Sequence, residues 1–556
     1  MSSSPVNFLI IGGVAAGASA AARARRLSEF ARITILERGP DVSFANCGLP
    51  YFIGGEIKQR DALAVQTPQT LKALLALDVR TSTEAVAIDR AAKRVHVRNL
   101  GAGTTESLAY DKLLLAPGAR PLRPALPGID DPRILTLRSL QDMDRIKAAA
   151  MAAQRVTVIG AGFIGLEMAE QFIHLGKQVT LVELLDQVLP PLDQPMTRLL
   201  ESELRRHGIA LVLGDGIAAF ESTPGLRCRL ASGRTIDTDL VVLALGVRPD
   251  TALARAAGLA LGPRGHIRVN EFMQTSDPDI YAAGDAIETE DLITGEPSTV
   301  PLGGPANRQG RLVADHMLRP DLAKPYPGTL GTAIVRVFDV AAGLTGWSEK
   351  RLRAAGRPFR TVTVNDNHHA GYFPGAKPLV LKLLWDPATG RVLGAQVTGL
   401  GGVDKRLDVL ATAITGGLTI DDLAELELAY APSFGSAKDI VNLAGFAACN
   451  IRDGLVDSVD ALSNEPGLQI LDVRPPGLVL THPIPFAGVI NIPLGQLRSR
   501  LGELDRARPV ATVCALGKTA YFAARILTQN GFAASTLSGG IRAHFDPRSP
   551  AKLPTP

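Results

Sequence analysis

The sequence predicts an α/β protein of three or four domains built on parallel sheets. Two stretches carry the same order of features: a short apolar run, a glycine-rich loop, a helix-forming run and a second apolar run ending in glutamate. This order is typical of two parallel strands joined by a crossover helix. The 556 residues suffice for several domains with large cores. A composition of 46% hydrophobic and 21% charged residues is typical of globular proteins.

The charge and the cysteine content argue against several classes of protein. A net charge of +4 is spread over the whole chain, so we expect no nucleic-acid partner. The four cysteines (Cys47, Cys228, Cys449 and Cys514) lack metal-ligand spacing and are too few for a disulfide framework. We therefore expect no metal site, and a reducing, cytoplasmic location.

The N-terminal sequence MSSSPVNFLIIGG lacks the basic and long apolar segments of a signal peptide, so it predicts a first strand. No stretch of the sequence approaches the ~20 apolar residues that a membrane-spanning helix needs. We therefore expect no membrane partner.

The first glycine-rich loop follows the apolar run VNFLII and contains Gly12 and Gly17. The next apolar run ends at Glu37, at the spacing expected for an acid about 20 residues after the glycines. Strand, loop, helix and acid together predict a dinucleotide site, whose pyrophosphate binds the helix N-terminus. Val14 stands where such a loop usually has its second glycine.

The second glycine-rich loop is complete. Gly160, Gly162 and Gly165 follow the run RVTVI, and the next strand ends at Glu183. Two dinucleotide sites in one chain predict a flavin and a nicotinamide cofactor acting in relay. Glu183 would accept hydrogen bonds from the adenosine ribose and repel a 2′-phosphate, which favours NADH over NADPH.

Two later motifs extend this pattern. The apolar stretch 113–121 turns at Gly118, and the stretch 275–286 contains a short strand followed by Gly284 and Asp285. In this order, the motifs resemble the pyridine nucleotide–disulfide oxidoreductases, flavoenzymes with two Rossmann-like domains. The resemblance implies FAD at the first site and NAD(P)H at the second. It also implies that Asp285 binds the ribityl chain of FAD.

A lone cysteine, Cys47, lies in the segment SFANCGLPYFIGG and has no CxxC partner. The segment resembles the single-cysteine branch of this family, which includes coenzyme A–disulfide reductases, NADH oxidases and peroxidases. The branch implies that Cys47 lies against the flavin and that the substrate brings the second sulfur. It also implies a coenzyme A groove formed by Ser19, Arg23, Arg26, Ser43 and Asn46. Arg23 and Arg26 are three positions apart on a predicted helix, where they can clamp phosphates.

Two loops narrow the resemblance further. Residues 368–376 (HHAGYFPGA) and 429–439 (AYAPSFGSAKD) resemble segments of the coenzyme A–disulfide reductases. The resemblance implies that Tyr372 and Tyr430 point at the active cysteine of the other subunit, and that Lys438 contacts coenzyme A. A tyrosine supplied by a second subunit requires a homodimer with twofold symmetry.

The C-terminal part contains a strand, LQILDVRP, and a strand–loop–helix, PVATVCALGKTAYFAARILTQNGF. Cys514 ends the second strand, where backbone N–H groups and the following helix N-terminus stabilise a thiolate. With DVRP, NIPL and LSGG in order, the region resembles a rhodanese-like domain, which carries sulfane sulfur on a loop cysteine. This family commonly reads CxxGxR, but here Thr519 stands in the place of the arginine. Lys518 is a neighbouring cation of different shape. The strength of any transferase activity therefore stays open.

The sequence predicts four domains. They are an FAD-binding domain (residues 1–150 and 250–325), an NAD(H)-binding domain (151–249), an α+β dimerisation domain (326–450) and an α/β rhodanese-like domain (453–556).

The resemblances predict a flavin-dependent NAD(P)H reductase of coenzyme A persulfide, polysulfide or coenzyme A disulfide. Cys47 would be the redox-active thiol, and the rhodanese-like domain would supply or accept sulfur. One alternative is an NADH oxidase or peroxidase in which Cys47 cycles through a sulfenic acid. A second is a reductase whose rhodanese-like tail is regulatory. A third, a reductase for a small redox protein, would not require Cys47. The residues do not rank the sulfur substrates.

Overall fold

The computed structural model describes residues 5–222, 225–465 and 467–544. The parts of the predicted domains at residues 1–4, 223–224, 466 and 545–556 lie outside the described residues. The chain forms two compact units. The first comprises the residues up to 182 together with 215–331, and the second comprises 183–214 together with the residues from 332 onward.

The secondary structure begins with β1 (Asn7–Ile11), α1 (Ala16–Leu27), β2 (Arg32–Leu36), α2 (Leu49–Ile53), α3 (Pro68–Leu75), β3 (Asp78–Arg80), β4 (Thr83–Asp89), β5 (Arg94–Asn99), β6 (Thr105–Ala109), β7 (Lys112–Leu115), β8 (Ala119–Pro121), β9 (Ile134–Thr136), α4 (Leu140–Ala152), β10 (Arg155–Ile159), α5 (Phe163–His174) and β11 (Gln178–Glu183). It continues with α6 (Gln194–Arg206), β12 (Ala210–Leu213), β13 (Ile217–Ser222), β14 (Leu226–Leu230), β15 (Thr235–Thr238), β16 (Leu240–Leu243), β17 (Val247–Pro249), α7 (Ala252–Ala256), β18 (Ile267–Arg268), β19 (Ile280–Ala282), β20 (Ile287–Glu290), β21 (Pro297–Ser298) and α8 (Gly303–Leu318).

The rest of the chain contains β22 (Ala333–Val337), β23 (Val340–Gly346), α9 (Glu349–Ala354), β24 (Arg360–Asn367), β25 (Pro378–Trp385), β26 (Val392–Gly399), α10 (Val403–Gly416), α11 (Ile420–Glu425), α12 (Ile440–Arg452), β27 (Asp457–Val459), β28 (Gln469–Asp472), α13 (Pro476–Thr481), β29 (Ile490–Asn491), α14 (Leu494–Leu497), β30 (Val510–Val513), α15 (Lys518–Gln529), β31 (Ala534–Leu537) and α16 (Gly540–His544).

The first unit is organised around two parallel sheets. One has the strand order β19–β7–β1–β2–β3, and all its pairings are parallel. β1 is apolar throughout its buried length, as central parallel strands are, and Phe8 and Ile10 are fully buried. In the other sheet, β11, β10, β16 and β9 pair in parallel. Each glycine-rich loop follows a strand with neighbours on both sides, where open α/β sheets bind ligands.

The second unit contains an antiparallel sheet of order β22–β23–β26–β25–β24, with α10 and α12 packed against it. A charged group lies inside this region. Lys382 Nζ lies 3.1 Å from Asp193 Oδ2 and 2.5 Å from Glu349 Oε2, and its side chain is 3% exposed. Each of the three charges has a partner of opposite sign, which offsets part of the cost of taking it out of water.

The C-terminal part of the second unit is a parallel sheet of order β27–β31–β30–β28–β29. The DVRP motif has a structural role here, since Arg474 Nη2 lies 2.6 Å from Asp472 Oδ2 and both side chains are buried. β30 leads into the loop of Cys514, and α15 begins at Lys518.

The α/β class predicted from the two glycine-rich units is therefore confirmed, and the four domain boundaries stay predictions. Among the residues that the structure describes, no helix has the length and apolar character needed to cross a membrane.

Candidate active site

The first glycine-rich loop is shaped by close backbone approaches. Gly12 has a φ of 98°, in the region that favours glycine, and its N–H donates to Leu36 O at 2.8 Å. A Cβ at Gly17 would lie 1.9 Å from Gly12 O, so only glycine lets α1 start this close to β1. Within the described residues, no side chain caps α1 and its first turn holds no acid. The helix N-terminus therefore offers N–H groups and a positive dipole end to a pyrophosphate.

Glu37 is oriented at the end of β2. Its Oε2 accepts from Gly13 N at 2.9 Å, and its Oε1 accepts from Gly39 N at 2.8 Å. Each carboxylate oxygen keeps a second lone pair, so the group can still accept from the hydroxyls of a ribose.

The second glycine-rich loop repeats this geometry. Gly160 has a φ of 101°, and a Cβ at Gly165 would lie 1.8 Å from Gly160 O. A Cβ at Gly162 would meet no described atom within 4 Å, so this side of the loop is open to a ligand. Glu183 Oε1 accepts from Leu185 N at 3.0 Å. Glu37 likewise accepts from the N–H two residues later in the chain, that of Gly39.

The turn at Gly284 presents a half-buried carboxyl, that of Asp285. Gly284 N donates to Gln309 Oε1 at 2.8 Å, which fixes the turn against α8. Burial raises the pKa of Asp285, and the charge of Arg138 acts in the opposite direction. Arg138 Nη2 also donates to Pro117 O at 3.1 Å, beside Gly118. A half-buried carboxyl gains from hydroxyl donors, which the ribityl chain of a flavin carries. The residues therefore fit FAD.

Cys47 lies in one turn of 3₁₀ helix, Asn46–Gly48, directly before α2. The segment is anchored to the first glycine-rich loop, because Ser43 N donates to Gly13 O at 2.8 Å. Ser43 adopts a φ of 49°, a strained conformation for a residue with a side chain. All four cysteines are free thiols, and Cys47 is exposed.

The surroundings of Cys47 disfavour its thiolate. Although the residue is exposed, the protein atoms around the sulfur partly desolvate it and so raise its pKa. Glu167 and Asp285 raise it further through their negative charge. Glu167 lies on α5, where its Oε1 accepts from the Tyr51 hydroxyl at 3.0 Å. The sequence analysis missed Glu167, since nothing in the local pattern of α5 distinguishes it from a surface acid.

The residues predicted to bind coenzyme A differ in their freedom. Ser19 Oγ donates to Asn307 Oδ1 at 2.6 Å, and Arg23 Nε lies 2.6 Å from Asp315 Oδ1. Both partners belong to α8. By contrast, Arg26 and Asn46 are exposed. Of the two arginines predicted to clamp phosphates, Arg23 already forms an ion pair with Asp315.

The two tyrosine loops meet in the second unit. The Tyr372 and Tyr430 hydroxyls lie 3.2 Å apart, and Ala370 N donates to Gly435 O at 3.0 Å. Both tyrosines are exposed. Lys438, in the second loop, is also exposed.

A buried arginine joins the bases of these loops. Arg406 on α10 is 2% exposed. Its Nη2 donates to His368 O at 2.8 Å and to Asp439 Oδ2 at 2.6 Å. One guanidinium thus holds the start of the first tyrosine loop and the end of the second. The sequence analysis missed Arg406, because its position in the sequence is typical of a charged residue on the solvent face of an amphipathic helix.

Cys514 follows β30 and is 2% exposed. Its Sγ accepts from Gly517 N at 3.1 Å and from Ala520 N at 3.3 Å. The N–H groups of the loop and of the first turn of α15 therefore converge on the sulfur. Hydrogen bonds from these N–H groups stabilise negative charge on a sulfur atom in this position.

Three sequence families match this chain. Residues 6–308 match the pyridine nucleotide-disulphide oxidoreductase family, and residues 332–440 match its dimerisation domain. Residues 455–544 match the rhodanese-like domain.

Curated relatives align with most of the chain. The coenzyme A disulfide reductase of Staphylococcus haemolyticus is 35% identical over 443 residues, which are 79% of this chain and 99% of the relative. An NADH oxidase of Enterococcus faecalis is 32% identical over 447 residues, 80% of this chain and 99% of the relative.

Two solved structures align with nearly the whole chain. Reduced CoADR-RHD of Bacillus anthracis has a TM-score of 0.93 and 45% identity, and the alignment covers 97% of each chain. A NAD-dependent persulfide reductase from A. fulgidus has a TM-score of 0.92 and 40% identity, over 97% of this chain and 100% of that chain.

Proposed function

The chain belongs to the pyridine nucleotide-disulphide oxidoreductase family, and we propose that it is a flavin-dependent NADH reductase of sulfur substrates that works through Cys47. The observation that carries the proposal is the attachment of the Cys47 segment to the first dinucleotide loop, through Ser43 N and Gly13 O at 2.8 Å. The sequence places no second cysteine beside it. A disulfide involving Cys47 therefore takes its other sulfur from the substrate.

FAD would be held by Gly12, Gly17, Glu37, Gly118, Gly284 and Asp285, and NADH by Gly160, Gly162, Gly165 and Glu183. When bound, FAD supplies the two-electron relay between a nicotinamide and a sulfur atom. The preference for NADH over NADPH rests on Glu183, which Leu185 N orients and whose charge disfavours a 2′-phosphate.

The substrates proposed are coenzyme A persulfide and coenzyme A disulfide. The thiolate of Cys47 attacks the sulfur bonded to coenzyme A, the substrate S–S bond breaks, and a mixed disulfide between Cys47 and coenzyme A forms. Hydrosulfide or a coenzyme A thiolate leaves. The two electrons of NADH then cleave the mixed disulfide. For the persulfide, the sum is persulfide, NADH and H⁺ giving coenzyme A, H₂S and NAD⁺.

The leaving sulfur needs a proton or a hydrogen-bond donor. Tyr372 and Tyr430 of a second subunit supply it, since both are exposed and their hydroxyls face each other. This assignment makes the active enzyme a homodimer, consistent with the dimerisation-domain match. By the resemblance described above, the residues proposed to bind coenzyme A are Ser19, Arg23, Arg26, Ser43 and Asn46, with Lys438 as a further contact.

The rhodanese-like domain supplies sulfur in this proposal. The coenzyme A thiolate attacks the outer sulfur of a Cys514 persulfide. The products are the Cys514 thiolate and coenzyme A persulfide, the substrate of Cys47.

NADH oxidase activity is the second candidate, because a relative named NADH oxidase aligns with 80% of the chain. In that reaction Cys47 would cycle through a sulfenic acid. The rhodanese-like domain has no part in such a cycle, which is why we favour the sulfur substrates.

One assay separates these functions. NADH oxidation is measured with coenzyme A persulfide, coenzyme A disulfide, hydrogen peroxide or oxygen, for wild type, Cys47→Ser, Cys514→Ser and, as a control, Cys449→Ser. We expect rapid turnover of a coenzyme A substrate that only Cys47→Ser abolishes. Full activity of Cys47→Ser on every sulfur substrate would overturn the proposal. Turnover confined to oxygen would establish an oxidase instead, and turnover confined to hydrogen peroxide a peroxidase.

A further inference from the structure

The strand β24 lies at the edge of the antiparallel sheet of the second unit, and the C-terminal domain covers it. Alternate residues of a strand share one face, and three alternate residues of β24 contact that domain. Thr361 Oγ1 donates to Asp460 Oδ1 at 2.7 Å, and Thr363 N donates to Ser538 Oγ at 2.7 Å. The third residue is Asn365, which reaches the cysteine loop itself.

Asn365 binds two backbone carbonyls. Its Nδ2 donates to Leu516 O at 3.2 Å and to Gly539 O at 2.7 Å. The carbonyl of Leu516 and the N–H of Gly517 belong to one planar peptide group and point in opposite directions. That N–H is a donor to Cys514 Sγ, at 3.1 Å. By holding the carbonyl, Asn365 sets the direction of the N–H that binds the sulfur.

The rest of the loop is held from the other side. Ile541 N donates to Cys514 O at 2.9 Å, and Arg542 N donates to Ala515 O at 3.0 Å. Both donors lie in α16 of the same C-terminal domain. The carbonyls of residues 514, 515 and 516 thus all accept from outside the loop. Only the third depends on a side chain of the preceding domain.

The peptide held by Asn365 is the one most able to turn. Gly517 has a φ of 93°, and glycine reaches alternative backbone conformations at little cost. Without a donor on its carbonyl, the Leu516–Gly517 peptide can rotate and direct its N–H away from the sulfur.

We propose that Asn365 is a positioning residue for Cys514: it orients the Leu516–Gly517 peptide so that the loop binds sulfur as an anion. The preceding domain thus supplies a side chain that shapes the cysteine loop of the C-terminal domain. The inference rests on the proposed role of Cys514 as a sulfur carrier. In the assay reaction, the Cys514 thiolate takes the outer sulfur of thiosulfate, sulfite leaves, and cyanide then removes the sulfur as thiocyanate.

The test uses the full-length protein and the variants Asn365→Asp, Asn365→Ala and Thr361→Ala. Asn365→Asp keeps the shape but loses both N–H donors. Thr361→Ala removes a hydrogen bond from the same strand face without touching the loop, so it is the matched control. The first readout is thiosulfate–cyanide transfer. The second is the ultraviolet absorbance of the Cys514 thiolate across pH, taken as the difference from the same protein carrying Cys514→Ser.

We expect Asn365→Asp and Asn365→Ala to lower transfer about tenfold, as loss of one hydrogen bond to a charged group implies. We also expect their thiolate signal to develop at higher pH, while Thr361→Ala matches wild type in both readouts. NADH oxidation with coenzyme A disulfide should be unchanged in all three, since this reaction does not use Cys514.

Two results would overturn the inference. One is that the thiolate absorbance in both folded Asn365 variants depends on pH as it does in wild type. The other is that Thr361→Ala loses as much transfer activity as the Asn365 variants, which would assign the effect to domain docking. If wild type transfers no sulfur, the carrier role fails, and the thiolate titration still decides the role of Asn365. If Asn365→Asp does not fold, Asn365→Ala carries the comparison.

Discussion

The hydroxyl oxygens of Tyr372 and Tyr430 lie 3.2 Å apart although 58 positions separate the two residues in the chain. The loops that carry them are tied together by Ala370 N and Gly435 O and, at their bases, by the buried guanidinium of Arg406. The two phenols therefore act as one hydrogen-bonded pair, and the pair is presented to the outside of the subunit.

Loss of either phenol should slow sulfur reduction. Either hydroxyl can serve the leaving sulfur, so we expect Tyr372→Phe and Tyr430→Phe each to lower kcat about tenfold and the double variant about 100-fold, within the range of general acid catalysis. Steady-state NADH oxidation with coenzyme A disulfide measures this, with Phe434→Leu, a change at a 73% exposed residue of the same loop, as control. An unaltered kcat in the double variant would remove the tyrosines from the mechanism.

The tyrosine pair should also be visible in a titration. The hydrogen bond with Tyr430 raises the pKa of Tyr372, so Tyr430→Phe should let Tyr372 ionise at lower pH. The ultraviolet difference between Tyr430→Phe and the double variant isolates Tyr372. No shift toward lower pH would contradict the pairing.

Removal of the charge of Glu167 should make Cys47 more reactive. The negative charge of Glu167 raises the pKa of the Cys47 thiol, after the larger effect of desolvation. In Glu167→Gln the pKa falls, so alkylation of Cys47 by iodoacetamide should reach its half-maximal rate at lower pH. Mass spectrometry of the Cys47 peptide measures the rate. Asp130→Asn, at a 96% exposed side chain, should leave the profile in place.

The two glycines of the second loop should respond differently to alanine. In Gly165→Ala the new Cβ would lie 1.8 Å from Gly160 O, so the protein should lose several degrees in melting temperature before any nucleotide is added. In Gly162→Ala the Cβ meets no described atom within 4 Å. The melting temperature of this variant should equal that of wild type, and its KM for NADH should rise. Equal effects of both changes on melting would refute this distinction.

The buried charges around Lys382 should be essential for stability. Lys382→Met leaves Asp193 and Glu349 without their shared cation, which should cost about 3 kcal/mol of unfolding free energy. Lys350→Met, at a less buried lysine bound to Gln187 Oε1, should cost less than about 1 kcal/mol. Urea denaturation at neutral pH measures both. A Lys382→Met protein as stable as wild type would show that the interaction of Lys382 with the two carboxylates adds nothing to stability.

The same group should make the protein sensitive to acid. Burial raises the pKa of Glu349, but the charges and hydrogen bonds of Lys382 and Arg353 together outweigh this, so the net pKa is lowered. The stabilisation is therefore fully present above the unfolded pKa of about 4.3 and is lost as pH falls through the lower folded value. Urea midpoints between neutral and acidic pH should fall less steeply in Glu349→Gln than in wild type. Parallel pH profiles would contradict this.

Local sequence was sufficient for the parts of the fold whose physics is local. The strand–loop–helix units around Gly12 and Gly160 were predicted because the tight turn, the close helix–strand approach and the terminal glutamate all lie within one short segment. The loop of Cys514 was predicted for the same reason, since the N–H donors to its sulfur come from the next six residues.

Contacts between distant segments could not be predicted from the sequence. The partners of Arg23, the charge of Glu167 near Cys47 and the loop carbonyl held by Asn365 each join positions that no periodicity relates. A side chain such as Asn365 reads as an ordinary polar residue on an edge strand until folding brings the cysteine loop to it.

What the residues alone settled is therefore the class of the protein, the two dinucleotide loops and the candidate thiols, because each depends on spacing along one segment. Folding decided which groups surround those thiols. Cys47 lies near two acids that disfavour its thiolate, whereas Cys514 lies among N–H donors. Electrostatic and hydrogen-bond environments depend on distances in space, and those are set only when the whole chain packs.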